Sequence, residues 1–128
     1  MPWTLSSERP IYLQLVDRIK RQIASGEYSP GDRFPSVREL ALEAAVNPNT
    51  MQRALSALEA DGLLITSRTA GRTVTTEEVL IKNMKEQIAT EEYERFYKSM
   101  KELGYDDEGI KQFINEVKLS DVKGGSES

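Results

Sequence analysis

The sequence predicts a mainly α-helical chain with one small β-hairpin, and three observations predict it. Pro35 to Gly62 reads as two short helices meeting at a tight corner. Directly after Gly62 the composition turns to Leu63, Leu64, Ile65 and Thr66, breaks at a loop holding Gly71, and resumes with Thr73, Val74 and Thr75. From Thr76 to Val117 the apolar residues return to spacings of three and four. A helical corner followed at once by a hairpin is a winged helix-turn-helix. The expected layout is therefore a winged helix-turn-helix domain over 1–75, a short two-helix region over 76–119, and a polar, glycine- and serine-rich, disordered tail over 120–128.

The elements follow in order. Trp3, Thr4 and Leu5 form a short extended lead, with Trp3 covering one edge of the core. Pro10 suits the first position of a helix, where a missing N–H costs nothing; Ile11, Leu15, Ile19 and Ile23 share one face of it, and Gly26 ends it. Ser29 to Asp32 make a turn, and Arg33 and Phe34 are expected to add a short strand to the hairpin. Ser36 and Glu39 have the spacing of a capping box, so the next helix opens at Val37, and Val37, Leu40 and Ala41 share its inward face.

Asn47 is a good N-cap and Pro48 a good first residue for the second helix of the pair, which Gly62 terminates. Met51, Ala54, Leu55 and Leu58 recur at helical spacing and form its core side. Its other side shows Asn49, Thr50, Gln52, Arg53 and Ser56, none of them large enough to block an approaching surface. Amides pair with adenine and guanidinium groups with guanine when such a helix lies in a major groove. Arg38 points away from the core on the preceding helix. Arg68 and Arg72 flank the hairpin loop, where Gly71 allows close backbone approach, so a basic wing tip is expected to meet a phosphate backbone or minor groove.

Composition narrows the classes of function. With 38% apolar and 30% charged residues the chain is an ordinary soluble protein, neither disordered nor membrane-spanning, and it carries no apolar leader, so the cytoplasm is expected. It contains no His and no Cys, which removes the usual general base, nucleophile and transition-metal ligands. Catalysis, a cofactor and a metal site are not expected. Asp106, Asp107 and Glu108 begin a helix, and the helix dipole explains them better than a bound cation does. The net charge of −4 divides unevenly. Residues 1–75 hold nine Lys or Arg against eight Asp or Glu, a balance of +1, and residues 76–128 hold eight against thirteen, a balance of −5. The acidic excess lies outside the proposed DNA-facing half.

From Pro10 to Val74 the residues resemble the DNA-binding domain of the GntR family of bacterial transcription regulators. The resemblance rests on PIYLQL, GEYSPGDRFPSVRELA, NPNTMQRALSALEADGLL and the GR of the wing, and covers a little over half the chain. NPNT at the start of the second helix is similar to the small YtrA-like subgroup. The resemblance implies that Arg38, Asn49, Thr50, Gln52, Arg53 and Gly71 lie at or near DNA, with Arg33, Ser36 and Asn47 as phosphate-facing neighbours. Two departures stand out. Ala45 occupies a corner position where the pattern usually has glycine, and Pro48 stands where many relatives have a basic residue.

In the C-terminal region, Leu80, Met84, Ile88, Ala89, Tyr93, Phe96, Tyr97, Met100 and Leu103 make an apolar stripe, and Ile110, Phe113, Ile114 and Val117 line a last helix. Two helices of this size cannot bury Tyr93, Phe96, Tyr97, Met100, Ile110, Phe113 and Ile114 against each other alone. A second copy is the expected partner, presenting two winged domains to the half-sites of a near-palindromic double-stranded DNA operator. The expected function is that of a homodimeric, sequence-specific regulator acting as a repressor, with kinship pointing to a transporter operon. A small-molecule effector is neither named nor excluded by the sequence. Two other classes stay open: a winged helix that docks on another protein, and, more remotely, an enzyme using paired carboxylates.

Overall fold

The computed structural model describes residues 3–117; the proposed disordered tail lies outside them. The element order is α1 (Ile11–Ala24), α2 (Val37–Ala44), α3 (Pro48–Ala60), β1 (Leu64–Ser67), β2 (Gly71–Val74), α4 (Glu78–Glu102) and α5 (Asp107–Glu116). The chain divides into two compact units, the first ending at Gln87 and the second beginning at Ile88, so the division falls inside α4. Among the described residues no helix is long and apolar enough to cross a membrane.

In the first unit α3 packs against α1, α2 and β1. The buried residues are those whose spacing makes one face of each helix: Leu15, Val16, Ile19 and Ile23 of α1, Leu40, Ala41 and Ala44 of α2, and Met51, Ala54, Leu55 and Leu58 of α3. Ile11 and Val37, at the starts of their helices, are only half-buried, because the first turn reaches past the core. Trp3 is buried, with its indole N–H donating to Glu43 at 3.2 Å and the Arg18 guanidinium over its ring. Pro10 sits one residue earlier than expected. It is the N-cap of α1, at ψ 135°, and the helix begins at Ile11.

The corner between α2 and α3 is built by local chemistry. Ser36 Oγ accepts from the Glu39 N–H at 3.1 Å while Glu39 Oε1 accepts from the Ser36 N–H at 2.9 Å, closing the capping box. Ala45 ends α2 in the left-handed region, φ 61° and ψ 48°, which turns the chain sharply toward the Asn47 cap. Gly62, at φ 80°, ends α3, and the Leu63 N–H reaches back to the Leu58 carbonyl in the six-to-one bond of a glycine-terminated helix.

β1 and β2 pair antiparallel with Leu64 opposite Val74 and Ser67 opposite Gly71. Both strands lie closer to the loop than the sequence suggested, β1 starting at Leu64 rather than Leu63 and β2 ending at Val74 rather than Thr75, and the loop shortens to Arg68, Thr69 and Ala70. The Ser67 hydroxyl oxygen holds that loop by accepting from the N–H groups of Thr69 and Ala70. Arg33 forms an isolated antiparallel bridge with Thr73, and the Phe34 N–H donates to the Arg72 carbonyl at 2.8 Å, so the expected extra strand is present as a single bridge.

In the second unit Met100 and Ile110 are buried, whereas Tyr93, Leu103, Phe113 and Ile114 are exposed and Phe96 and Tyr97 half-buried. Asp106 caps α5 by accepting from the Gly109 N–H at 2.7 Å. The Tyr97 hydroxyl donates to Asp107 at 2.6 Å and Lys101 lies 3.3 Å from the same oxygen, fastening α4 to α5. Both donors hold the Asp107 carboxyl below its ordinary range. Tyr105 and Phe113 meet edge to face.

Candidate nucleic-acid interface

The exposed side of α3 is assembled by the same spacing that buries its other side. With Met51, Ala54, Leu55 and Leu58 inward, Asn49, Gln52, Arg53 and Ser56 are exposed and Thr50 is half-buried. The Gln52 amide nitrogen donates to Ser56 Oγ at 3.0 Å, one turn along, so the amide lies along the helix surface with its oxygen free. The Arg53 guanidinium carbon stands 3.7 Å from the centre of the Tyr12 ring. Asn49, Thr50 and Arg53 line an open recess with Pro10, Ile11 and Tyr12 of the first helix.

A second recess lies between the start of α2 and the wing. It gathers Arg33, Ser36, Gly71 and Arg72, with Pro35 and Thr66 beside them. Gly71 has φ 72°, a conformation that favours glycine, and a Cβ there would come 3.9 Å from Arg33 Nη2. Arg38 is exposed on α2 and Arg68 on the wing loop, and neither has an ion pair among the described residues. Free guanidinium groups at these places suit phosphate oxygens.

Three expected contact residues are already engaged. Asn47 Oδ1 caps α3 by accepting from the Asn49 N–H at 2.7 Å, and Ser36 Oγ serves α2 in the same way. Each cap leaves a donor over, the Asn47 amide nitrogen and the Ser36 hydroxyl hydrogen. Arg72 lies within β2 rather than at the loop and donates to Glu59 of α3 at 3.0 Å, with its side chain 17% exposed. The Thr66 hydroxyl donates to the same carboxylate. These bonds hold the Glu59 carboxyl below its ordinary value, the Thr66 hydroxyl contributing most, against an opposing push from burial. Arg72 therefore fastens the wing to α3, and the basic tip is Arg68. Sequence reasoning missed Tyr12 and Glu59, since each meets its partner only through packing of elements distant along the chain.

A helix-turn-helix with a wing braced against its second helix, and a bare polar flank on that helix, defines a winged-helix DNA-binding regulator. The chain belongs to the gntR family of bacterial regulatory proteins, whose family model matches residues 11–74. It is 41% identical over 111 residues to the uncharacterised HTH-type transcriptional regulator YhcF of Bacillus subtilis, a match spanning 84% of this chain and 92% of that protein. It is 32% identical to the HTH-type transcriptional repressor YtrA of the same organism, over 95% of this chain and 94% of the relative, which places it with the YtrA-like members. A GntR family transcriptional regulator from Listeria monocytogenes superposes with a TM-score of 0.79 at 36% identity, covering 89% of this chain and all of that one. The chain is thus a transcription regulator and not an enzyme.

Proposed function

We propose that the chain is a homodimeric repressor in the bacterial cytoplasm that inserts α3 into the major groove of each half of a near-palindromic operator. The observation that carries this is the uncovered flank from Asn49 to Ser56, whose Asn49 and Arg53 line one open recess, while a second recess beside the wing holds the exposed Arg33. Asn49, Gln52 and Arg53 read base edges, Arg38 and Arg33 hold phosphates, and Arg68 with the Gly71 backbone meets the groove beside the wing. Tyr93, Phe113 and Ile114 are the exposed apolar residues offered to a second copy, with Phe96 and Tyr97 beside them and Met100 and Ile110 buried behind. Repression is favoured by the YtrA relative, which is described as a repressor. Kinship with the YtrA-like members favours a transporter operon as the regulated genes.

Selection of duplexes from a random pool by the purified protein, followed by titration against the recovered sequence, tests this. The expected motif is a near-palindrome. Arg38→Ala should weaken binding to every sequence and lower the slope of log affinity against log salt by about one. Gln52→Ala should relax preference at one position per half-site. Recovery of no common motif, or variants that bind like the parent, would refute the assigned surface.

A further inference from the structure

The Tyr12–Arg53 contact differs from the other arginine contacts near the wing and on α4. Arg72 and Arg95 spend N–H donors on the carboxylates of Glu59 and Glu92. Arg53 is held instead through its flat face, 3.7 Å above an aromatic ring, and has no carboxylate or carbonyl partner among the described residues. A guanidinium donates only in its own plane, so a stack on its face leaves all five donors available at its edge. The stack also removes part of the rotamer freedom that a long exposed side chain would otherwise lose on binding.

Placement of the ring is decided by the fold. Pro10 caps α1 at φ −53°, Tyr12 follows on the first turn, and α1 packs against α3, which brings the half-buried ring to the exposed edge of the recognition helix. Asn49 lies one turn before Arg53 on the same side and lines the same recess. An amide and an oriented guanidinium one turn apart can address neighbouring base pairs, and a fork held with its edge outward fits the paired acceptors O6 and N7 of guanine.

We infer that Tyr12 is a specificity-determining positioning residue, which acts through Arg53 by holding its guanidinium edge toward a guanine in the major groove. This rests on the proposed DNA-reading role of α3. It predicts that Tyr12 touches no base itself and that its effect vanishes when Arg53 is absent. It also predicts that the ring face matters and the hydroxyl does not.

Affinities of the parent, Tyr12→Phe, Tyr12→Leu, Arg53→Ala and the Tyr12→Leu/Arg53→Ala double variant are measured by fluorescence anisotropy. The probes are the selected operator and a set carrying single base-pair changes. Tyr12→Leu keeps the apolar bulk without the π face, and thermal melting checks that each variant folds. The expected result is a loss of roughly two- to fivefold in discrimination by Tyr12→Leu at the single position that Arg53→Ala also relaxes. The salt slope should stay as in the parent, Tyr12→Phe should match the parent, and the double variant should equal Arg53→Ala. The inference is overturned if Tyr12→Leu discriminates like the parent, if it weakens all sequences equally, if Tyr12→Phe behaves like Tyr12→Leu, or if the two losses add. An Arg53→Ala variant with unaltered base preference would instead refute the assignment of Arg53 as a base reader, and with it this inference. If Tyr12→Leu does not fold, Tyr12→Phe and Tyr12→His carry the comparison, the weaker π face of histidine being expected to fall between phenylalanine and the Arg53→Ala level.

Discussion

Replacing Ala45 by glycine should stabilise the first unit without changing how it binds DNA. Ala45 has the sole positive φ outside glycine among the described residues, φ 61° with ψ 48°, and its side chain is exposed. The left-handed conformation costs an L-residue roughly 1–2 kcal/mol, because Cβ crowds the following carbonyl oxygen. Glycine escapes that cost but loses more freedom on folding, which offsets about 0.4–1 kcal/mol. Nothing is lost from packing, since the removed methyl faces solvent. The net gain is about 0.5–1 kcal/mol, and for a domain of this size that corresponds to a rise in Tm of roughly 2–8 °C. Urea and thermal unfolding at fixed protein concentration measure it, because a protein that associates has a concentration-dependent Tm. A midpoint unchanged or lowered at constant m would show that the corner is not strained, and a change in operator affinity would show that Ala45 has a role beyond turning the chain.

Glu59→Gln should loosen the wing and lower stability by about 1 kcal/mol at neutral pH. The folded-state pKa of Glu59 is lowered, so its contribution is complete above the ordinary glutamate range and is lost as pH falls through the lowered value. The gap between variant and parent in urea titrations should therefore close on acidification, and a gap independent of pH would contradict the carboxylate's role. Phe113→Glu/Ile114→Glu should convert the proposed dimer to the 14.4 kDa monomer in sedimentation equilibrium, with weaker binding to a two-half-site operator and unchanged helix content by circular dichroism. A parent that sediments as a monomer at micromolar concentrations, or a variant that remains dimeric, would rule out this face as the interface.

The helix-turn-helix was legible because its signals are local. A capping box needs only Ser36 and Glu39, a helix start only Asn47 and Pro48, and a helix end only Gly62, while the buried face of α3 follows from spacing alone. The apolar stripe of α4 was less legible. Its residues from Leu80 to Leu103 share a spacing, but Met84 and Met100 are buried while Tyr93 and Leu103 are exposed, and periodicity says nothing of which positions meet a neighbour.

By itself, then, the sequence determined the order of the elements, the corner, the bare flank of α3 and the family to which the chain belongs, since each depends on residues within a turn or two of one another or on an extended motif. Tertiary structure alone decided that Arg72 braces the wing through Glu59, that Arg68 is left at the tip, and that Arg53 lies on the Tyr12 ring. The physical reason is reach. A long arginine side chain finds its partner among whatever groups the packing of distant segments brings within a few ångströms, and its position along the chain does not say which.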